Sequence, residues 1–233
     1  PDAISYDFKI SLRSSSGIIA RDANSYDLIN VAADSGYYYP MKTSAALIQD
    51  VSQTMNIYHY ATMPDTVNKG DTNVPVIYFK FINPNPAGYS DVIVMGLTIT
   101  VEDNYGTGIV PSSVISRLKL EGPSLYGEQT NVPSYGSSVY VPLTIAPLII
   151  PPSAYIGVTL YADVSSSTDR LFVQFDLKQG SDCYVKDKNS GAVISLINAE
   201  PGDSFPMRSG YATIYSPPGI RILHTDLAPD NVS

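Results

Sequence analysis

The chain has 233 residues, with 14 lysines and arginines against 22 aspartates and glutamates, for a formal net charge of −8. Duplex binding draws affinity from cations that neutralise phosphates, so this balance, without a basic stripe, argues against nucleic acid as a partner. Few charges and abundant Tyr, Val, Ile and Thr argue against a helical bundle, and the longest apolar runs, about ten residues, are roughly half a bilayer-spanning helix.

From the N-terminus, residues 4–12 alternate, with Ile4, Tyr6, Phe8, Ile10 and Leu12 on one face and Ser5, Asp7, Lys9 and Ser11 on the other. That period of two predicts a half-buried strand. Asp22-Ala23-Asn24-Ser25-Tyr26-Asp27 follows as an oxygen-rich loop, and Tyr37-Tyr38-Tyr39 precedes Pro40. Segment 44–55 has helical leanings but lacks an apolar stripe, so strand and loop are expected there. Further strands are predicted over 74–82, 92–101, 114–120, 139–145, 154–163, 171–177 and 211–215, separated by Asn-Pro, Asn-Tyr-Gly and Pro-Pro turns. Short strands at this spacing predict an all-β fold, an antiparallel β-sandwich.

The chain also resembles itself. Arg21-Asp22-Ala23-Asn24-Ser25 returns as Lys186-Asp187-Lys188-Asn189-Ser190, an offset of 165. Tyr39-Pro40-Met41-Lys42 returns as Phe205-Pro206-Met207-Arg208 at 166, and 57–67 returns at 222–232 with the offset back at 165. Aligned so, residues 1–68 match 166–233 at 16 identical positions, against about four by chance. The expectation is a tandem repeat of about 165 residues. Residues 1–55 would be the C-terminal half of a preceding unit, 56–217 a complete module, and 218–233 the lead-in strand or linker of the next, the whole cut from a longer array. Half a module exposes an apolar face, so 1–55 must pack on the central module, form a small sheet, or be completed by another chain.

Catalytic chemistry is sparse. The two histidines, His59 and His224, are one repeat position counted twice, and no nucleophile-elbow, zinc-protease or phosphate-loop pattern occurs. Glu102-Asp103 and the glutamates beside Gly or Pro read as turn residues, and the chain is not expected to be an enzyme. Asp22, Asn24, Asp27, Asp187 and Asn189 have the oxygen donors either for calcium or for Asx turns that bond their own backbone. No other cofactor is implied. Tyr37, Tyr38, Tyr39, Tyr126 and Tyr135, with Tyr140, are candidates for a sugar- or partner-stacking platform or for packing. Cys183 reads as a small core residue.

Pro64-Asp65-x-Val67-x-x-Gly70-Asp71 leads into Val74-Pro75-Val76-x-Tyr78-Phe79-x-Phe81-x-Asn83-Pro84 and then Gly96-Leu97-Thr98-Ile99. This pattern resembles the β-sandwich modules, immunoglobulin-like or cohesin-like, of large bacterial secreted and cell-surface proteins. The resemblance covers mainly 57–120 and implies an immunoglobulin-like or jelly-roll-like architecture and an extracellular or cell-surface location; it transfers no functional residue. The functional expectation is a non-catalytic structural or adhesive module of a long, repetitive surface protein. Its partners would be neighbouring repeats of the same protein, with a glycan or another surface protein also possible, and no membrane span. The alternatives are a carbohydrate- or protein-binding module using surface tyrosines, and a filament subunit completed by strand complementation.

Overall fold

In this computed structural model the residues described are 6–33, 36, 38–44, 46–198 and 204–216. Among them no segment is α-helical, and none is a helix long and apolar enough to cross a membrane.

Six short strands come first: β1 Tyr6–Phe8, β2 Ser11–Leu12, β3 Ala20–Arg21, β4 Leu28–Ile29, β5 Met41–Lys42 and β6 Ala46–Ile48. They nest as one long hairpin, β1 on β6, β2 on β5 and β3 on β4, all antiparallel. Over the described part of the alternating 4–12 segment there are therefore two strands rather than one, residues 4 and 5 lying outside the described residues. Beside the break the Ile10 amide donates to Thr43 Oγ1 at 3.1 Å instead of to a backbone carbonyl.

The remaining strands are β7 Thr54–Ala61, β8 Thr66–Asn68, β9 Val74–Ile82, β10 Val92–Glu102, β11 Ile115–Glu121, β12 Leu125–Gln129, β13 Ser138–Pro142, β14 Leu148–Ile150, β15 Tyr155–Val164, β16 Phe172–Leu177, β17 Cys183–Asp187, β18 Ser195–Asn198 and β19 Met207–Tyr215. They build two larger sheets. One runs β12-β11-β15-β9-β7-β18; the other runs β13-β10-β16-β19-β8, with β14 and β17 also paired to β10. β10 is thus the spine of its sheet. Pairing is mixed rather than purely antiparallel as expected, because β18 runs parallel to β7 and β19 parallel to β8. Parallel neighbours need a long crossover, and the chain between these strands supplies it.

Alternation sets which side chains are inside. In β9, Val74, Val76, Ile77, Phe79 and Phe81 are buried while Tyr78, Lys80 and Ile82 face outward. The two consecutive buried residues mark a bulge: Leu160 pairs with Ile77 but Tyr161 with Pro75. A bulge is also where a strand tolerates proline, which has no amide to donate. Buried residues of both sheets, among them Phe79, Leu118, Leu97, Ile99 and Phe175, belong to one hydrophobic cluster. Each fully buried side chain of this size stabilises the fold by about 1.5–3 kcal/mol.

The first hairpin and the last strands share local geometry at positions 165 or 166 apart. Leu12 pairs with Met41 and Ser11 with Lys42; Leu177 pairs with Met207 and Asp176 with Arg208. Where the Ile10 amide bonds Thr43 Oγ1, the Phe175 amide bonds Ser209 Oγ at 2.9 Å. Short 3-10 turns stand at Ser15–Gly17 and Gly180–Asp182. The Tyr39-Pro40 and Phe205-Pro206 bonds are both cis.

Candidate functional site

Two aspartate turns occupy corresponding places, one between β3 and β4 and one after β17. Asp22 Oδ1 accepts the amides of Asn24 and Ser25, both at 2.8 Å; Asp187 Oδ1 accepts those of Asn189 at 3.1 Å and Ser190 at 2.8 Å. The backbone follows suit, with Tyr26 and Gly191 each donating to the aspartate carbonyl at 2.9 Å. Both of those residues have positive φ, 60° for Tyr26 and 72° for Gly191. This is the Asx-turn arrangement. Of the other oxygen-bearing residues, the Asp27 carbonyl accepts the Asp22 amide at 2.9 Å, and Asn189 Nδ2 donates to Gln49 Oε1 at 2.7 Å. Among the described residues no group of three or more His, Cys, Asp or Glu is arranged around a common metal position.

The two turns differ in what surrounds them. Asp187 is buried, and its Oδ2 accepts the Ser52 amide at 2.8 Å and the Ser90 hydroxyl. Burial alone would raise its carboxyl pKa; the amides of Ser190 and Ser52 and the Ser190 hydroxyl outweigh that and hold it below the ordinary aspartate range. Asp22 is also held low, chiefly by the amides of Ser25 and Asn24. Ser52 and Ser90 lie 135 and 97 residues from Asp187, and no local sequence signal marks them.

Beside each turn lies a shallow cleft. One, of about 380 Å³, is lined by Ser15 to Ala20 and by Leu28 to Val31, Gly17 excepted; the other, of about 330 Å³, by Gly180, Ser181, Cys183, Tyr184 and Val193 to Leu196. Every position lining the second lines the first after a shift of 165. At the edge of the second cleft Ser195 to Asn198 pairs with Thr54 to Ile57 of β7. Cys183, at its base, is buried, and desolvation with the Asp182 charge pushes its thiol pKa well up. A thiol so placed is a core residue.

The predicted tyrosine platform does not assemble as a group. Tyr38 and Tyr135 are exposed, Tyr39 is half-buried and Tyr126 is buried, with its phenol pKa raised by burial; Tyr37 lies outside the described residues. Tyr140 stands with its ring over Gly96, where there is no Cβ to obstruct it. A different set converges. Tyr58 and Tyr60 on β7 stand opposite Lys80 and Tyr78 on β9. Lys80 Nζ sits 4.3 Å from the Tyr155 ring centre and 5.9 Å from that of Tyr58, and Lys119 Nζ sits 4.9 Å from that of Tyr161. Such cation–ring pairs contribute about 0.5–1 kcal/mol each at exposed positions. The signal was available: Tyr58-x-Tyr60 and Tyr78-x-Lys80 alternate with the buried Ile57, Phe79 and Phe81.

Glu102 and Asp103, read as one acidic turn, part company. Asp103 Oδ1 caps the turn by accepting the Tyr105 and Thr107 amides, both at 2.9 Å. Glu102 is buried beside Lys178, whose Nζ lies 2.5 Å from Glu102 Oε1 and 3.1 Å from the fully buried Asp176. Arg208 and Gln174 also reach Asp176, at 3.3 and 3.0 Å. Burial alone would lower the Lys178 pKa, but its two carboxylate partners outweigh that and hold it above the ordinary lysine range. This network ties β10, β16 and β19 together. His59 is half-buried on β7, and His224 lies outside the described residues.

No family model matches the chain, and no curated protein matches it. A solved structure described as "AvmM Catalyzes Macrocyclization in Alchivemycin A Biosynthesis" is similar over 75% of this chain and 94% of that one, at 10% identity and a TM-score of 0.36. That neighbour is a catalyst, and the expected function, a non-catalytic structural or adhesive module with its tyrosine-binding and filament alternatives, is corrected accordingly and does not stand. At this TM-score the likeness assigns no activity or substrate to the present chain.

Proposed function

We propose that the chain is a run of like β-sandwich units with a period of about 165 residues, and that the partner it recognises is a neighbouring unit of its own kind. In this reading β7 to β19 carry one complete sandwich, its two sheets closed over the shared cluster. The hairpin β1 to β6 is the closing half of another unit. The observation that carries the reading is the register: Leu12 on Met41 and Leu177 on Met207, with a hydroxyl-to-amide bond at the same step of both ladders. Matching turns at Asp22 and Asp187 and matching clefts beside them support it further. Sixteen shared identities alone specify neither a register nor a side-chain bond; coincidence has to explain both.

Sequencing the full transcript tests this. Further copies of the pattern are expected at the same period on at least one side of the segment. Flanks that carry none would end the reading.

A further inference from the structure

We infer that the open face of the first hairpin is a seat for a segment of a like unit, the one equivalent to β7 through β10, supplied by the same polypeptide. The inference rests on the repeat reading above and adds which residues join one part of a unit to the other.

Several corresponding positions are more exposed in the first copy than in the second. Ile10 is 66% exposed, and its counterpart Phe175 is 1% exposed; Ile18 is 38% and Cys183 4%; Ile29 is 50% and Ile194 4%. By contrast Leu28 and Val193 are open in both places, at 69% and 71%. The difference therefore follows the strands that gain neighbours in the second copy. There Cys183 to Asp187 pairs with Val92 to Leu97 of β10, and Gln174 to Asp176 with Thr100 to Glu102. Ser195 to Asn198 pairs with β7, and Asp187 Oδ2 takes the Ser52 amide and Ser90 hydroxyl. The hairpin strands, as described, pair only with one another in two-stranded ladders.

Chemistry selects the occupant. A free strand edge takes backbone donors and acceptors, exposed isoleucines take an apolar cover, and a carboxylate placed as Asp187 is takes an amide and a hydroxyl, there from Ser52 and Ser90. This chain carries one segment with all three, residues 49–102, and it already serves the second copy. A glycan or a helix supplies no strand edge. The neighbour that fits is a second example of that segment.

The test compares the 233-residue chain with the same chain carrying an added copy of residues 49–165 ahead of Pro1, since position 1 corresponds to 166. Amide hydrogen exchange is read at 9–11, 18–22 and 30–33. On addition of the extension, exchange there is expected to slow by on the order of 100-fold or more, approaching that of Cys183 to Asp187. Ile18→Asp with Ile29→Asp should abolish that gain in the extended protein and change nothing in the original chain. Hairpin amides that stay fast, or a gain indifferent to the double substitution, would overturn the inference. The transcript result bears on the repeat alone, so the two can fail separately.

Discussion

Replacing Asp187 with asparagine separates a buried turn from an exposed one of the same geometry. The amide oxygen can still accept the Asn189 and Ser190 amides, but an NH2 group now faces the Ser52 amide and the Ser90 hydroxyl. The hydroxyl can rotate and accept; the Ser52 amide cannot, and Ser52 is buried. An orphaned buried donor costs about 1–3 kcal/mol and the lost charge assistance about 1 more, so a loss of about 2–4 kcal/mol is expected. In a unit of this size that lowers the thermal midpoint by about 5–15 °C. Asp22→Asn, in the exposed turn, should leave the midpoint where it was. The pH profile follows from the depressed folded pKa of Asp187. Its contribution is fully present above the unfolded aspartate value of about 3.9 and disappears as pH falls through the lower folded value. Wild type and Asp187→Asn should therefore converge in acid. Thermal and urea unfolding from pH 7 to 2 measure all of this. Equal, small losses at the two turns, or a gap that widens in acid, would refute the reasoning.

Other outcomes are expected from contrasts within the chain. Phe175→Ala should cost about 3–5 kcal/mol in urea unfolding, whereas Ile10→Ala at the corresponding exposed position should stay within about 0.5. A methyl group on Gly157 meets the hydroxyl end of the Tyr78 side chain, but one on Gly127 meets the Pro142 carbonyl oxygen, which is backbone. Gly157→Ala should cost about 1 kcal/mol and Gly127→Ala about 3, read from denaturation midpoints. Cys183 should resist thiol reagents at pH 8 in the folded protein and react at the rate of a free thiol in denaturant, followed by absorbance.

The parts of the fold legible beforehand were those governed by period. Val74 to Ile82 is a strand over the residues predicted, because Val74, Val76, Phe79 and Phe81 declare their face in the sequence. Alternation over 4–12 does not mark the gap between β1 and β2, where the Ile10 amide goes to a threonine hydroxyl 33 residues away. The same distance problem hid the site. Asp187 was visible as a turn residue, but Ser52 and Ser90 come to it only through the packing of β7, β10 and β17. Glu102 looks like its neighbour Asp103 in the sequence; only the arrival of Lys178, just past the end of the adjacent β16, separates a buried ion pair from a cap. Tyrosine count drew attention to 37–39, while alternation, the better guide, marked Tyr58, Tyr60 and Tyr78.

The place of β10 also sets a timetable. Its partners β13 and β14 follow it within fifty residues, but β16, β17 and β19, which complete its sheet, come later, with Met207 about a hundred residues after Glu102. At ordinary synthesis rates that is about 5–20 seconds on the ribosome with one side of the spine unpaired. Of these late strands β16 and β19 pair with each other, so they can form a ladder of their own before they close on the spine.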